Sequence, residues 1–275
     1  MASITDCVGE GLRYPFNDMK KILIFGLLFA IINMIAFAIL EKIVDIFRLL
    51  AVANVNTLAL RFSQVPSGDI YLLAVLAIIS IIISLIIMGY QYNVIKFSID
   101  EKDDLPGFED ISGILINGVK YFIVTLVYNI LPMIVLIAGG IGLHPVQNGD
   151  YIVMTVAGIL FIICNFLLIM AIANMVDNDK ISKAFDLREI TDKISNLGWG
   201  KYIGIVIFTI IIYAIIMAAV GVILVFLSMF VAIAINQAMV IIAIISIIEG
   251  LLISPYISVF FNRVYGSIYR QSVKQ

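Results

Sequence analysis

Charge is scarce in this sequence. Asp, Glu, Lys and Arg make up 13% of its 275 residues, while 63% are hydrophobic and the mean hydropathy is +1.13. A water-soluble domain of that length needs more polar surface than this chain owns, so a soluble globular fold is excluded. Histidine and cysteine are almost missing, at one and two residues. His144 has no second His or Cys beside it, which argues against a metal site, and no cofactor motif is present. Cys7 lies in a charged segment and Cys164 inside an apolar run, so the two do not form a disulfide framework. Neither a lipobox at Cys7 nor a C-terminal CaaX cysteine is present. No Ser–His–Asp order, phosphate loop, metalloprotease pattern or intramembrane aspartate pair can be found, so the expectation is a protein that is not an enzyme. A net charge of −2 argues against a nucleic-acid partner.

Long apolar runs are what the chain has instead, at 22–40, 70–90, 121–143, 151–176, 202–228 and 239–261. At about 1.5 Å rise per residue, each covers roughly 30 Å of hydrocarbon as a helix. Barrel strands would alternate, and Ile78–Ile79–Ser80–Ile81–Ile82–Ile83 does not. The expected fold is an all-α integral membrane six-helix bundle, one transmembrane domain over 1–275. The first 21 residues hold no apolar stretch of the signal-peptide kind, so the first run is read as an uncleaved span. Of 17 Lys and Arg residues, 14 fall in 1–21, 91–120, 177–201 and 262–275. By the positive-inside rule these segments face the cytoplasm, with both termini, in the cell membrane.

The basic segments carry amphipathic patterns. In 181–199, Leu187, Ile190, Ile194 and Leu197 recur at helical spacing and Trp199 follows, with Ser182 as candidate N-cap and Gly198 as candidate C-cap. Such a stripe predicts an interfacial helix lying on the membrane. Residues 105–120 repeat the theme, opened by Leu105–Pro106, with Phe108, Ile111, Leu115 and Val119 on one face. The N-terminal segment, with Leu12, Tyr14, Pro15 and Phe16, is a weaker version. Three units of interfacial helix plus hairpin follow, at 1–92, 93–176 and 177–262. Beyond the first run, Glu41, Lys42, Asp45 and Arg48 alternate with apolar residues, which predicts that the first helix continues past the bilayer.

Several short motifs are spread along the chain. They are Tyr14–Pro15–Phe16 before Lys20–Lys21, Leu105–Pro106–Gly107–Phe108–Glu109–Asp110 leading to Gly118–Val119–Lys120, Ala184–Phe185–Asp186, Trp199–Gly200–Lys201–Tyr202, and Tyr265–Gly266–Ser267–Ile268–Tyr269–Arg270. In these the chain resembles DUF4013, a family of archaeal membrane proteins of unknown function. The resemblance implies a membrane location and an archaeal source, with no reaction, substrate or catalytic residues.

One candidate polar site stands out. Glu249 is the ionisable residue in the middle of a run, and such residues face a protein interior or a wet cavity. Asn33, Asn129 and Asn165 sit at comparable depth in other runs, as do Ser80, Ser84 and Tyr213. Pro132 and Pro255 each deprive a carbonyl four residues earlier of its donor, Tyr128 and Leu251 respectively. Broken helices beside a midplane carboxylate bind ions in transporters. Lone Asn and Ser side chains also serve simply as interhelical hydrogen bonds. The acidic run Asp100–Glu101–Lys102–Asp103–Asp104 could bind a cation or a basic partner but reads first as a solvated loop, and Arg263, Arg270 and Lys274, with Tyr265 and Tyr269, could touch anionic lipid headgroups but read first as a topology anchor. Two function classes remain open. One is a non-catalytic membrane module that organises lipids or a partner through its amphipathic helices. The other is a small permease or ion or solute transporter with Glu249 as its midplane site. The partners expected are the lipid bilayer and either a second copy or another membrane protein.

Overall fold

The computed structural model describes residues 4–51, 65–143, 149–234 and 238–274. His144 and the segment around Asn236–Gln237 lie outside them. All regular structure among the described residues is helical. Helix α1 covers Ile4–Arg13 and a 3₁₀ turn Tyr14–Asn17 follows. Then come α2 Met19–Ala51, α3 Ser67–Ile99, α4 Ile111–Leu143 and α5 Gly149–Asn178. A 3₁₀ turn, Ile181–Phe185, leads to α6 Leu187–Leu197, α7 Trp199–Ala234 and α8 Ala238–Ile248. A π-helical turn, Glu249–Ile253, joins α8 to α9, Ser254–Val273. Six helical stretches are long and apolar enough to cross a membrane: Met19–Arg48, Ser67–Ile99, Ile111–Gly139, Tyr151–Asn178, Trp199–Ile233 and Val240–Val273. The chain is an all-α, multi-pass membrane protein.

Each apolar run lies inside a longer helix. The first continues to Ala51, as its charge pattern predicted, and the last continues to Val273 through what reads as a tail. Residues 105–110 are not helical; α4 starts at Ile111, where the Asp110 carboxylate accepts from the Gly113 N–H and the Ser112 hydroxyl, both at 2.9 Å. Phe108 therefore shares no helix face with Ile111, Leu115 and Val119. Its ring stacks on Tyr90 at 4.5 Å, and the buried positions of 105–120 are Leu105, Pro106, Ile114 and Gly118.

The chain falls into two compact units. The first comprises Met1–Asp18, Met88–Ile212 and Ser258–Gln275. Its core brings Met170, Ala173 and Val176 of α5 together with Ile190 and Ile194 of α6 and with Phe260, Val264, Ile268 and Tyr269 of α9. Burial there follows from side chains that are apolar on every turn, so α5 is covered on more than one face.

The second unit comprises Met19–Ile87 and Tyr213–Ile257. Here α2 packs on α8 and on the π turn. The π turn has a local cause. Pro255 has no N–H to offer the carbonyl of Leu251, and the Ser254 N–H reaches back five residues to Glu249 instead. In α4 the helix runs on through Pro132.

Candidate functional site

The four polar residues singled out in the sequence sort into two pairs, one in each unit. In the first unit, Asn165 of α5 donates to the Asn129 side-chain carbonyl of α4 at 3.2 Å and to the Phe161 carbonyl at 2.8 Å. Asn129 donates in turn to the Thr125 carbonyl at 2.8 Å. Asn165 also lines a cavity of about 400 Å³ between α4, α5, α7 and α9. Its wall is mostly Phe, Ile, Leu and Val, with Tyr121, Thr125, Thr209 and Tyr265 as further polar groups. The lining on α5 runs from Phe161 to Ile172, about 16 Å along the helix. Phe161, Ile162 and Ile210 in its lining are about half exposed, so the cavity opens on the outer surface of the helices.

In the second unit, Asn33 of α2 donates to the Ser246 carbonyl of α8 at 3.0 Å. Glu249, in the π turn, accepts from the Ser254 hydroxyl at 3.5 Å. Asn33, Ser246 and Glu249 line one pocket of about 270 Å³ with Ala36, Phe37, Leu40 and Ile242. Ser80 bonds to the Leu76 carbonyl of its own helix at 2.9 Å.

The apolar stripe of α6 faces protein. Ile190, Ile194 and Leu197 are buried, in the core of the first unit, whereas Leu187 and Trp199 are about half exposed. A stripe occupied by core contacts is not free to lie on lipid, which corrects the interfacial-helix expectation. Gly198 ends the helix as predicted, at φ 90°, with its N–H bonded to Ile194 and Ser195 carbonyls. The N-cap is Asp186, which accepts from the Glu189 N–H at 3.1 Å; Ser182 lies upstream in the 3₁₀ turn. That turn is held from outside. Asn174 donates to the Lys183 carbonyl at 3.0 Å and Tyr128 to the Ala184 carbonyl at 2.7 Å.

Sequence reasoning missed a buried ionic cluster in the first unit. Arg263 is 2% exposed. Its guanidinium pairs with Glu10 at 2.5 Å, donates to the Lys102 carbonyl at 2.6 Å and lies 4.1 Å over the Tyr14 ring. Glu10 also takes Arg270 at 2.8 Å and the Ser267 hydroxyl at 2.9 Å. Arg270 reaches Glu101 at 3.5 Å, and Lys274 pairs with Glu101 as well. Headgroup contact by Arg263 and Arg270 is thereby corrected: both are spent on protein carboxylates. The acidic run Asp100–Glu101–Lys102–Asp103–Asp104 is an exposed loop, as read from the sequence, with the carbonyls of Asp104 and Asp103 bound by Tyr14 and Asn17 at 2.6 and 2.9 Å. The visible signal was Glu10, an acid on the N-terminal segment, with Arg263 and Arg270 about two turns apart on one helix near the C-terminus. Burial raises the Cys7 thiol to about 11, with Glu10 adding to the effect. Lys120 bonds Asp179 at 2.6 Å and, with Tyr92 at 2.8 Å, holds that carboxyl below its ordinary range.

Among the described residues no group of three or more His, Cys, Asp or Glu side chains is placed to hold a metal. Taken together, the geometry defines a polytopic membrane protein with a largely apolar cavity between its helices. The family model described as "Protein of unknown function (DUF4013)" matches residues 72–226, more than half the chain, and the chain belongs to that family. The motifs around Tyr14 and Tyr265 lie outside the matched range. The chain is 28% identical over 162 residues to an uncharacterised protein of the archaeon Methanocaldococcus jannaschii, covering 58% of this chain and 54% of that one. It thus spans about half the length of the curated relative it matches. No solved structure matches.

Proposed function

We propose that the protein is a non-catalytic membrane module that takes an apolar lipid chain into the cavity of its first unit. Its basic segments and both termini face the cytoplasm in this reading, and the membrane is the cell membrane. One observation carries it: a cavity of about 400 Å³ with a largely apolar wall, bordered by half-exposed Phe161, Ile162 and Ile210. Ligand pockets of this size are lined by hydrophobic side chains with a few placed polar groups, which Thr125, Asn165, Thr209 and Tyr265 supply. Burial of the α6 stripe turns the lipid-organising role from the amphipathic helix to this cavity.

The test is native mass spectrometry of the full chain released from lipid vesicles, paired with a photoactivatable lipid. Adducts on Phe161, Ile162 or Ile210, lost in Ile210→Trp at unchanged melting temperature, support the reading. Retention of no lipid, or crosslinks scattered evenly over all lipid-facing helices, overturns it.

A further inference from the structure

The cavity of the first unit, between α4, α5, α7 and α9, has no Asp, Glu, Lys, Arg or His in its lining. A charged group drawn into it would leave water and meet no counter-ion, and that exchange is unfavourable. The buried part of an occupant is therefore uncharged.

Each of the four helices nevertheless brings a polar side chain to the wall: Tyr121 and Thr125 from α4, Asn165 from α5, Thr209 from α7 and Tyr265 from α9. Three of them have spent their donors. Asn165 gives its N–H groups to the Asn129 side chain and the Phe161 carbonyl, Thr209 its hydroxyl proton to the Ile205 carbonyl at 2.7 Å, and Tyr121 its own to the Asn262 side chain at 3.5 Å. The other two have not. The Thr125 hydroxyl is buried and, among the described residues, has no hydrogen-bond partner. A helical threonine can turn that group onto the carbonyl four residues back, as Thr155 and Thr209 do here. Tyr265 meets Phe261 through its ring, and among the described residues its hydroxyl makes no hydrogen bond. A buried hydroxyl without a partner costs free energy, and an oxygen on the occupant removes that cost. A hydroxyl on the occupant suits the wall better than a bare acceptor, because the side-chain oxygens of Asn165 and Thr209 still have lone pairs to offer its proton.

We propose that the occupant is an uncharged lipid alcohol, a long apolar chain whose hydroxyl pairs with the free hydroxyls of Thr125 and Tyr265. This rests on the reading of the cavity as a lipid site and adds which polar group that lipid carries.

The probes are hexadecanol, hexadecane and hexadecanesulfonate, each with a photoactivatable diazirine on its chain. They are added in trace amounts to the full chain in phosphatidylcholine vesicles, and labelled residues are mapped by peptide mass spectrometry. The expected result is labelling of Phe161 and Ile210 by hexadecanol at an affinity about tenfold above that of hexadecane, the gain of roughly one hydrogen bond, with the sulfonate weakest. Thr125→Val and Tyr265→Phe keep the shape of each side chain and should each lower the alcohol-to-alkane ratio, the double variant bringing it close to one. Because the ratio is taken within each variant, a change in stability cancels from it. Equal labelling by alcohol and alkane in the unaltered chain overturns the proposal while leaving the cavity a site for apolar chains, and so does labelling led by the sulfonate. A preference for the alcohol that survives in the double variant overturns the assignment to Thr125 and Tyr265. Labelling of the cavity by none of the three overturns the lipid reading itself.

Discussion

Gly26 of α2 lies against the main-chain carbonyl of Leu251, so closely that a Cβ built on Gly26 would sit 2.1 Å from that oxygen. This is the carbonyl whose donor Pro255 removes. A Cα–H contact from glycine partly replaces the lost hydrogen bond, and any larger residue forbids the approach. The π turn, the proline and the glycine therefore form one local solution to a broken helix.

Gly26→Ala should destabilise the protein by about 1–3 kcal/mol, the usual cost of overpacking. Gly9→Ala, in α1 with open space around its Cα, should be neutral or stabilise by about 0.5–1 kcal/mol. Thermal melts of both variants in one detergent check the contrast. Equal melting temperatures would mean that Leu251 does not need the close approach.

Glu10 and Arg263 make a second prediction. Arg263 is buried with its carboxylate partner on α1, and taking one member of such a pair away leaves a charge uncompensated. Glu10→Ala should cost about 3–5 kcal/mol, and Arg263→Ala a similar amount. The double variant should lose less than the sum, because each single change already removes the shared Glu10–Arg263 contact, while the separate Glu10–Arg270 contact keeps the double loss above that of Arg263→Ala alone. Additive losses in a double-mutant cycle would show that the pair does not couple α1 to α9.

The α6 stripe divides its own residues. Ile190→Ala should cost about 2–5 kcal/mol as a core deletion, whereas Leu187→Ala should change little. Urea or thermal unfolding of the purified variants decides this. If Leu187→Ala matched Ile190→Ala, the exposed end of the stripe would be bearing on something the isolated chain lacks.

What could be read from the sequence was whatever depends on composition and period. The six spans, the helix extension to Ala51, the Gly198 cap and a disturbance before Pro255 all follow from local chemistry. Partner choice was not legible. An apolar stripe on α6 satisfies lipid and protein equally, and only tertiary packing decides that Ile190 meets α5 and α9. In the same way Asp186 outcompetes Ser182 as a cap because Asn174 of α5 and Tyr128 of α4 fix the preceding turn. Arg263 beside a membrane helix reads as an anchor until Glu10 is brought to it by the fold.

Acid should loosen the first unit in a defined window. Asp179 is held below its ordinary value by Lys120 and then Tyr92, and Asp186 by the Glu189 N–H. A lowered native value means that the unfolded chain binds protons more readily, so the stabilisation is complete above the ordinary carboxylate value of about 4 and is lost as pH falls through the lower, native one. Lys183 behaves oppositely. Its ammonium is raised first by Glu189, so its contribution is full below the ordinary lysine value of about 10.4 and fades as pH climbs past the native one. Melting temperature should therefore be flat between roughly pH 5 and 9 and decline on both sides. Asp179→Asn should lower the plateau slightly and flatten the acid limb, because the variant has no proton to take up at that site. An acid limb as steep as that of the unaltered chain would place the sensitivity elsewhere, with the Glu101 carboxyl, lowered by Lys274 and Arg270, the next to replace.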